Sequence, residues 1–539
     1  MSAPLFARWS FWGAVLLGAG ARIAGLDQQI LVGDEVHAFR GALALPLPEV
    51  LTTYRMQAHC PPFNAWLRAG IELGWRPSEL ALRVPVLLAG LAALLWVPRW
   101  LERRVGAGAA TATAWLLALS PLLVYYSRFM RPYLPAALAS AVAAAAFFDW
   151  WREGRTASGV AYASAASFAV YLHLLAAPFV LAPWLFLAGE AAATRGRSLP
   201  APRRLVAVAG LSIALLALWM VPAAASLSRL APSKSQDLAL DLRTWREGGM
   251  LLAGVGWPWL AALFALAMAR GLVVLSRRDA SLARYAVALP LAQLVGVLAL
   301  SPAYLQSPPI FARYLLVGLV PLLALAGLGL AEPLARVPCR VQVAAVGLYL
   351  AAAAASGPLV HSELYTSPFG LRPEILGFVS REPRPARSAP PPYARLAALS
   401  PGAVIEYPAR PLSRFVNPLA VAQRAHGRRV YLSPGDRKLL DPRLDLQSFV
   451  GPEPHTLLAS KAALLVVHRD WARELGPDLG AGPLPADLRS RAEEELARMA
   501  VQARRLVRRL VGAWGRPDLS QNGLAVWDLE RVRRRAASP

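Results

Sequence analysis

The stretch SGVAYASAASFAVYLHLLAAPFVLAPWLFLAGE, residues 158–190, decides how many times this chain crosses a membrane. It carries no charged residue before Glu190 and is barely long enough for two apolar helices with a turn near His173. A helix needs about 20 apolar residues to cross the hydrocarbon layer. Read as one long helix or a re-entrant element, the stretch would invert the orientation of every later segment.

The composition is that of a polytopic membrane protein. Hydrophobic residues make up 56% of the 539 residues and charged residues 17%, with mean hydropathy +0.41. The N-terminal apolar segment is interpreted as a retained first helix, since nothing else in the chain requires a cleaved signal peptide. Apolar windows predict eleven transmembrane helices, near residues 8–26, 80–98, 107–125, 133–150, 157–172, 174–190, 204–222, 250–270, 284–301, 312–331 and 340–357.

Arginines favour two crossings within 158–190. They are concentrated in alternate connections, and this bias, which marks the cytoplasmic side, persists on both sides of that stretch. The intervening connections, including 27–79 with its expected interfacial helices, then face outward. The formal charge of +24 is interpreted as contact with anionic lipid and not with nucleic acid. The cytoplasmic set comprises Arg99, Arg103, Arg104, Arg152, Arg155, Arg195, Arg197, Arg203, Arg204, Arg270, Arg277, Arg278, Arg284, Arg336 and Arg340.

Composition divides the chain into a transmembrane domain (1–357), a Pro-rich linker (358–395) and a small α/β domain (396–539) that faces outward. The last domain is interpreted as a lid or docking module without chemistry of its own. Cys60 and Cys339 lie in loops assigned to opposite faces, so no disulfide is expected. Strands are predicted at 402–408, 428–432, 462–468 and 523–529, and a helix at 486–513.

The segment LVGDEVHAFR, residues 31–40, places Asp34 and Glu35 at a membrane edge. Ionisable residues beside a membrane segment are functional candidates, although solvated loop residues would look the same. In HCPPFNAWLR, residues 59–68, the paired prolines favour a short helix start that points His59 inward. A plain proline-capped interfacial helix is the alternative.

Two arginines stand in VYYSRFMRPYLP, residues 124–135. Arg128 and Arg131 are three residues apart, so at helical spacing they share a face and predict a grip on one phosphate. Ordinary topology would keep arginines out of so short an outward loop. A carboxylate can take a proton from an attacking hydroxyl, while arginines neutralise the charge on a departing phosphate.

Four motifs together resemble the polytopic GT-C glycosyltransferases: GDE (33–35), HCPPF (59–63), YYSRFMRPY (125–133) and FARYLLVGLVPLL (311–323). Within that class the chain is most similar to bacterial relatives of protein O-mannosyltransferases and lipid A aminoarabinose transferases. The resemblance covers residues 8–331 and preserves the order of the motifs.

The resemblance implies transfer of a sugar from a polyprenyl-phosphate donor to a hydroxyl of a lipid, glycan or protein, on the outer face of a bacterial cytoplasmic membrane. Asp34 would be the general base, with Glu35 as its neighbour in the catalytic site. The residues implied to bind the donor phosphate are Arg128, Arg131, Arg313 and Tyr314, and those implied to bind substrate are Tyr54, His59 and His173.

Some alternatives stay open at this stage. His59 and Cys60 stand where some relatives have Lys or Glu, which leaves the sugar undetermined. No cluster with firm metal-ligand spacing is visible in the sequence, so no cofactor is assigned, and a divalent cation shared by Asp34, Glu35 and His59 is an open alternative. A transporter or lipid-linked sugar flippase would also use many helices, but we find no convincing internal repeat. The third alternative, an inactive relative or an assembly partner, is disfavoured because Asp34, Glu35, Arg128 and Arg131 are all present.

Overall fold

The computed structural model describes residues 3–24, 26, 35, 42, 45–54, 60–74, 79–196, 199–234, 240–303, 305–334, 337–357, 395–407, 453–460, 462–470, 486–521 and 523–538. The chain is mostly helical. Six helices of this described part are long and apolar enough to cross a membrane, or seven if one bent pair counts as a span. The protein is therefore a multi-span membrane protein, and eleven crossings remain a prediction.

The chain divides into two compact units. The first comprises residues 1–24, 37–73 and 83–361, and the second comprises 25–36, 74–82 and 362–539. Up to residue 356 the helices are α1 (Ala3–Ile23), α2 (Leu47–Thr52), α3 (Pro61–Glu72), α4 (Glu79–Val105), α5 (Ala107–Leu119), α6 (Pro121–Tyr126), α7 (Tyr133–Glu153), α8 (Thr156–Leu172), α9 (Ala177–Ala193), α10 (Pro202–Met220), α11 (Ala224–Lys234), α12 (Leu242–Ala253), α13 (Pro258–Arg278), α14 (Ala280–Leu300), α15 (Pro308–Tyr314), α16 (Leu316–Leu334) and α17 (Cys339–Ser356).

Several predicted helix bounds are wrong because proline and glycine interrupt the apolar windows. The window 107–125 is broken before Pro121, whose missing N–H ends α5. The window 250–270 spans two helices, since Gly254 closes α12 in the left-handed conformation (φ 75°) and Pro258 begins α13. The window 312–331 is also broken, because α15 and α16 meet at an angle of 80°.

The stretch 158–190 forms two helices, as predicted. Helix α8 ends at Leu172, His173 is extended, and a short 3₁₀ turn at 174–176 leads into α9. The turn therefore falls at the residue where the sequence placed it.

Close backbone packing joins α13 to α16. A Cβ atom built on Gly271 would come within 1.9 Å of the Leu325 carbonyl oxygen, and one on Gly329 within 1.9 Å of the Ala267 carbonyl oxygen. Lipid tails are as apolar as core side chains, so helices in a membrane gain more from such close approach than from exclusion of water. Any larger residue at either glycine would force these two helices apart.

Ion pairs join the helices at one end of the first unit, which we call the paired end. Arg104 pairs with Asp149 and Glu153, linking α4 to α7. Three further pairs join α9 to α14, α13 to α16, and α7 to the start of α14: Arg284–Glu190 (2.6 Å), Arg270–Glu332 (2.7 Å) and Arg152–Asp279 (3.6 Å). All four arginines belong to the set predicted to be cytoplasmic.

The second unit contains a four-stranded mixed sheet in the order β1-β2-β4-β3. Strands β1 and β2 are parallel, while β4 is antiparallel to both β2 and β3. Met499, Ala503, Leu506 and Leu510 of α19 contribute to its core. The elements are β1 (Val404–Tyr407), α18 (Pro454–Leu458), β2 (Leu464–His468), α19 (Ala486–Trp514), β3 (Leu519–Gln521), β4 (Leu524–Asp528) and α20 (Leu529–Ala537).

The small C-terminal sheet and its helix agree with the sequence. Three of the four predicted strands are present, and the fourth, at 428–432, lies outside the described residues. Residues 358–394 of the predicted linker also lie outside them, so the domain boundary at 358–395 stays a prediction.

Candidate functional site

Helix breaks gather several of the candidate side chains at a second end of the first unit, which we call the break end. It comprises Tyr54, Cys60, residues 127–133, His173 and residues 313–315. Each candidate there stands where a helix starts, stops or bends, because a proline or an extended residue interrupts the helix.

Arg313 lies on aromatic rings. Its guanidinium carbon is 5.1 Å from the ring centre of Tyr133 and 5.4 Å from that of Tyr314. The Tyr133 ring in turn contacts His173, with 5.0 Å between ring centres. Rings orient a guanidinium without using up its hydrogen-bonding edge. The structure thus brings together three candidates, Arg313, Tyr314 and His173, through a residue that was not a candidate, Tyr133.

Gln293 holds two of the helix breaks in place. It is fully buried in α14, and its Nε2 atom donates to the carbonyl oxygens of Leu175 (2.9 Å) and Tyr314 (2.8 Å). Leu175 lies in the turn after His173, and Tyr314 is the last residue of α15. Carbonyls at helix ends in apolar surroundings need such partners. Gln293 therefore fixes His173 and Arg313 relative to each other.

Tyr54 forms a second buried contact at this end. Its hydroxyl donates to the carbonyl of Tyr171 (3.1 Å), and the Tyr171 hydroxyl donates to the carbonyl of Leu51 (2.8 Å). Burial raises the pKa of Tyr54 well above its usual value. Tyr54 is therefore a neutral phenol that ties the segment before residue 55 to the end of α8.

Arg131 is buried and lies near Cys60. Arg131 is 5% exposed, and Cys60, the residue before α3, is 2% exposed. Burial raises the pKa of the Cys60 thiol to about 12, while the positive charge of Arg131 acts in the opposite direction. Cys60 is thus a neutral thiol beside a guanidinium, and α3 begins next to Arg131.

The predicted helical pairing of Arg128 with Arg131 is wrong. Residues 127–132 form a turn between α6 and α7, because the residue before a proline, here Arg131 before Pro132, is disfavoured in the helical region. Arg128 is half-buried, and its Nη1 atom donates to the carbonyl of Ala21 (3.0 Å) in α1. Arg128 and Arg131 therefore do not share a helix face, and the helical argument that Arg128 binds a phosphate together with Arg131 no longer holds.

The carboxylate half of the candidate site is described only in part. Glu35 is fully buried, while Asp34 and His59 lie outside the described residues. Within the described residues, no group of three His, Cys, Asp or Glu could hold a metal ion. The alternative of a cation shared by Asp34, Glu35 and His59 is therefore untested.

Sequence reasoning missed Gln293 and Tyr133. Gln293 is the one strongly polar residue between Tyr285 and Ser301, and polar residues inside an apolar helix mark structural or functional contacts. Tyr133 stood inside a quoted motif but carried no charge. The partner rings and carbonyls of both residues come from other helices, which the local sequence does not reveal.

Comparison with known proteins gives matches only at the level of structure. No family model and no curated protein matches the chain. ArnT from Cupriavidus metallidurans bound to undecaprenyl phosphate is 19% identical, with 68% of each chain covered and a TM-score of 0.46. In its apo state ArnT is 20% identical, with 67% of this chain and 66% of that chain covered and a TM-score of 0.45.

The chain is also similar to AglB, an oligosaccharyltransferase from Archaeoglobus fulgidus. The AglB structure in complex with an inhibitory peptide and a dolichol-phosphate is 13% identical to this chain. The match covers 88% of this chain and 71% of the AglB chain, with a TM-score of 0.43. ArnT and AglB are GT-C glycosyltransferases, the class that the motifs of this sequence resemble. The chain spans about two thirds of the length of the ArnT structures.

Proposed function

We propose that this protein transfers a sugar from a polyprenyl-phosphate donor to a hydroxyl group of a lipid, glycan or protein at the outer face of the bacterial cytoplasmic membrane. The break end would bind the phosphate of the donor. Asp34 would act as general base, with Glu35 beside it in sequence. Tyr54, His59 and His173 would line the substrate site.

The observation that carries the proposal is the presence of two arginines, the buried Arg131 and the ring-bound Arg313, at the break end. Arg131 adjoins Cys60, and Arg313 lies on Tyr133, the second residue after Arg131. Arginine is costly in apolar surroundings and is retained there for ligands or for structure. Its planar fork matches the oxygens of a phosphate, and a polyprenyl phosphate is an anion that arrives within the membrane.

The chemistry needs one base and a charge acceptor. An acceptor hydroxyl attacks the anomeric carbon, a new glycosidic bond forms, and the bond from that carbon to the phosphate oxygen breaks. The hydroxyl proton goes to Asp34, and the polyprenyl phosphate leaves with its electron pair. An ordinary aspartate pKa of about 3.9 makes Asp34 a weak base, so proton transfer must accompany bond formation. Arg131 and Arg313 would stabilise the leaving phosphate.

The arginine distribution supports the proposed orientation. The paired end collects arginines that the sequence assigns to the cytoplasmic side, and the break end lies where the outward loops at 126–132 and 302–311 are predicted. The C-terminal sheet domain would then also face outward, as a lid or docking module.

The proposal is tested with the purified full-length chain in nanodiscs and undecaprenyl-phosphate donors carrying a pentose or a hexose. Transfer is measured by release of undecaprenyl phosphate in the presence of extracted cell-envelope acceptors. We expect Asp34→Asn to slow release by about 10²- to 10⁴-fold. Asp149→Asn, which changes a carboxylate at the paired end, is the matched control and should leave the rate within a factor of about two.

Retention of most of the activity in well-expressed Asp34→Asn protein would exclude Asp34 as the base. Movement of the intact donor between leaflets without release of undecaprenyl phosphate would favour the flippase alternative and contradict the transferase.

A further inference from the structure

Arg22, near the end of α1, is almost wholly buried, with 1% of its surface exposed. Its guanidinium donates four hydrogen bonds. Nη1 donates to the carbonyls of Gly18 (2.8 Å) and Ala118 (3.1 Å), Nη2 donates to the carbonyl of Leu117 (2.9 Å), and Nε donates to Ser127 Oγ (3.0 Å). This arginine therefore joins α1 both to the end of α5 and to the turn at 127–132.

The break before Pro121 explains why an arginine is needed here. In a continuous helix the carbonyl of Leu117 would accept from the N–H of residue 121, but proline has no N–H. The carbonyl of Leu117 thus loses its helical donor in apolar surroundings, where an unsatisfied backbone group is costly. Arg22 supplies the missing donor, and its remaining N–H groups reach the next carbonyl and Ser127.

Ser127 has little room to move. A Cβ atom built on Gly90 of α4 would come within 2.2 Å of Ser127 Oγ, so the serine packs directly against the α4 backbone. Ser127 Oγ also donates to the carbonyl of Leu123 (2.5 Å). The next residue, Arg128, donates back to the carbonyl of Ala21 beside Arg22 (3.0 Å). The start of the turn is thus tied to α1 in both directions.

We propose that Arg22 is a positioning residue that sets the turn at 127–132, and through it Arg131, for binding of the donor phosphate. This inference rests on the proposed function. Arg22 is too buried to meet a lipid head group, and its Nε, Nη1 and Nη2 atoms already donate to acceptors in α1, in α5 and in the turn. The fork of the guanidinium reaches Leu117, Ala118 and Ser127 together, which the single ammonium of lysine does not.

The test measures the Kd of undecaprenyl phosphate for the full-length protein in nanodiscs. We expect Arg22→Lys, which keeps the charge but loses the fork, to raise the Kd about tenfold, and Ser127→Ala about threefold. Arg104→Lys is the matched control. Arg104 also joins helices, but it lies 14 residues along α4 from Gly90, about 21 Å away at the helical rise.

A purely structural role predicts a different result. Arg104→Lys and Arg22→Lys would then both lower the melting temperature while leaving the Kd within about twofold of wild type. If Arg22→Lys does not fold, Ser127→Ala carries the test, since it removes one hydroxyl only. Unchanged Kd values for the folded Arg22 and Ser127 variants, with loss of binding in Arg131→Ala, would overturn this inference alone. Unchanged binding in Arg131→Ala as well would overturn the phosphate site of the proposed function with it.

Discussion

The two ends of the first unit use arginine in different ways. At the paired end, arginines meet carboxylates between continuous helices, as Arg284 meets Glu190 at 2.6 Å and Arg270 meets Glu332 at 2.7 Å. At the break end, the contacts described for Arg22 and Arg313 are with carbonyls, a hydroxyl and aromatic rings. Arg22 bonds to three carbonyls and a hydroxyl, and Arg313 lies over the Tyr133 ring.

Because of this difference, we expect arginines at the paired end to contribute to the stability of the fold and those at the break end to contribute to anion binding. A carboxylate partner cancels the charge of an arginine and joins two helices, so its loss should weaken the fold. A ring or a carbonyl orients a guanidinium without cancelling its charge, so changes there should weaken binding of an anion. Substitutions at the paired end should therefore lower stability, and substitutions at the break end should lower affinity for the anion.

The largest effect is expected for Arg313→Ala. Loss of charge-assisted hydrogen bonds to a phosphate should weaken undecaprenyl-phosphate affinity about 100-fold. Arg313→Lys keeps a point charge without the planar fork and should lose about tenfold. Arg270→Ala at the paired end is the control. Equal affinity of Arg313→Ala and Arg270→Ala for undecaprenyl phosphate would show that arginines at the two ends do not differ in their contribution to binding.

A smaller effect is expected for Gln293→Leu, which is similar in size but cannot donate to Leu175 and Tyr314. The breaks near His173 and Arg313 should loosen, and affinity for undecaprenyl phosphate should fall about tenfold. Faster amide hydrogen exchange at residues 310–316 would report the loosening directly. The control is Thr113→Val, because the buried Thr113 hydroxyl donates only to Ala109 of its own helix (2.8 Å). If the affinity and the amide exchange of Gln293→Leu equal those of wild type, the helix breaks keep their positions without the Gln293 hydrogen bonds.

At the paired end, Asp149→Asn should affect stability and not binding. Asp149 accepts from Arg104 and from Trp100 Nε1 (3.2 Å). Its charge is partly buried, so the free energy of unfolding should fall by about 2 kcal/mol. Thermal unfolding and the Kd of undecaprenyl phosphate measured on the same sample check this. A loss of affinity of more than about twofold would contradict it.

The smallest effect is expected for Asp241→Ala, a helix cap. Asp241 Oδ1 accepts from the N–H of Thr244 (2.7 Å), and the hydrogen bonds from Thr244 lower the Asp241 pKa. Loss of the cap should cost about 1 kcal/mol at neutral pH.

The pH dependence of that effect has a definite sign. Because the folded pKa lies below the unfolded value of about 3.9, the charge stabilises the fold above that pH. This contribution disappears as the pH falls through the folded pKa. Melting temperatures of wild type and Asp241→Ala should therefore converge in acid, and a constant difference from pH 7 to pH 3 would argue against the cap.

The sequence predicts the continuous features of this fold well. Apolar windows place α7, α8 and α10 near their observed bounds, although α4 continues to Val105, beyond its predicted end at residue 98, and the split of 158–190 falls at His173 as expected. Short-range periodicity also finds β2, β4 and α19. These elements depend on local patterns that a single chain displays.

The broken features were harder to predict. The sequence shows Pro121, Pro132 and Pro308, but not which helices their breaks bring together. Arg128 and Arg131 were expected on one helix face, and the turn before Pro132 sends Arg128 to Ala21 instead. Gln293 and Arg22 donate hydrogen bonds to carbonyls that are far away in sequence, and no local sequence pattern predicts such contacts.

If Arg131 and Arg313 bind the carrier phosphate, the protein should distinguish undecaprenyl phosphate from undecaprenol through these two residues. The Kd values of undecaprenyl phosphate and undecaprenol are compared for wild type, Arg131→Ala, Arg313→Ala and Arg104→Lys. Both lipids have the same chain, so their ratio isolates the phosphate. We predict a preference for the phosphate of about 100-fold in wild type and Arg104→Lys that falls to about tenfold or less in the other two variants. The same preference in all four proteins would contradict the account.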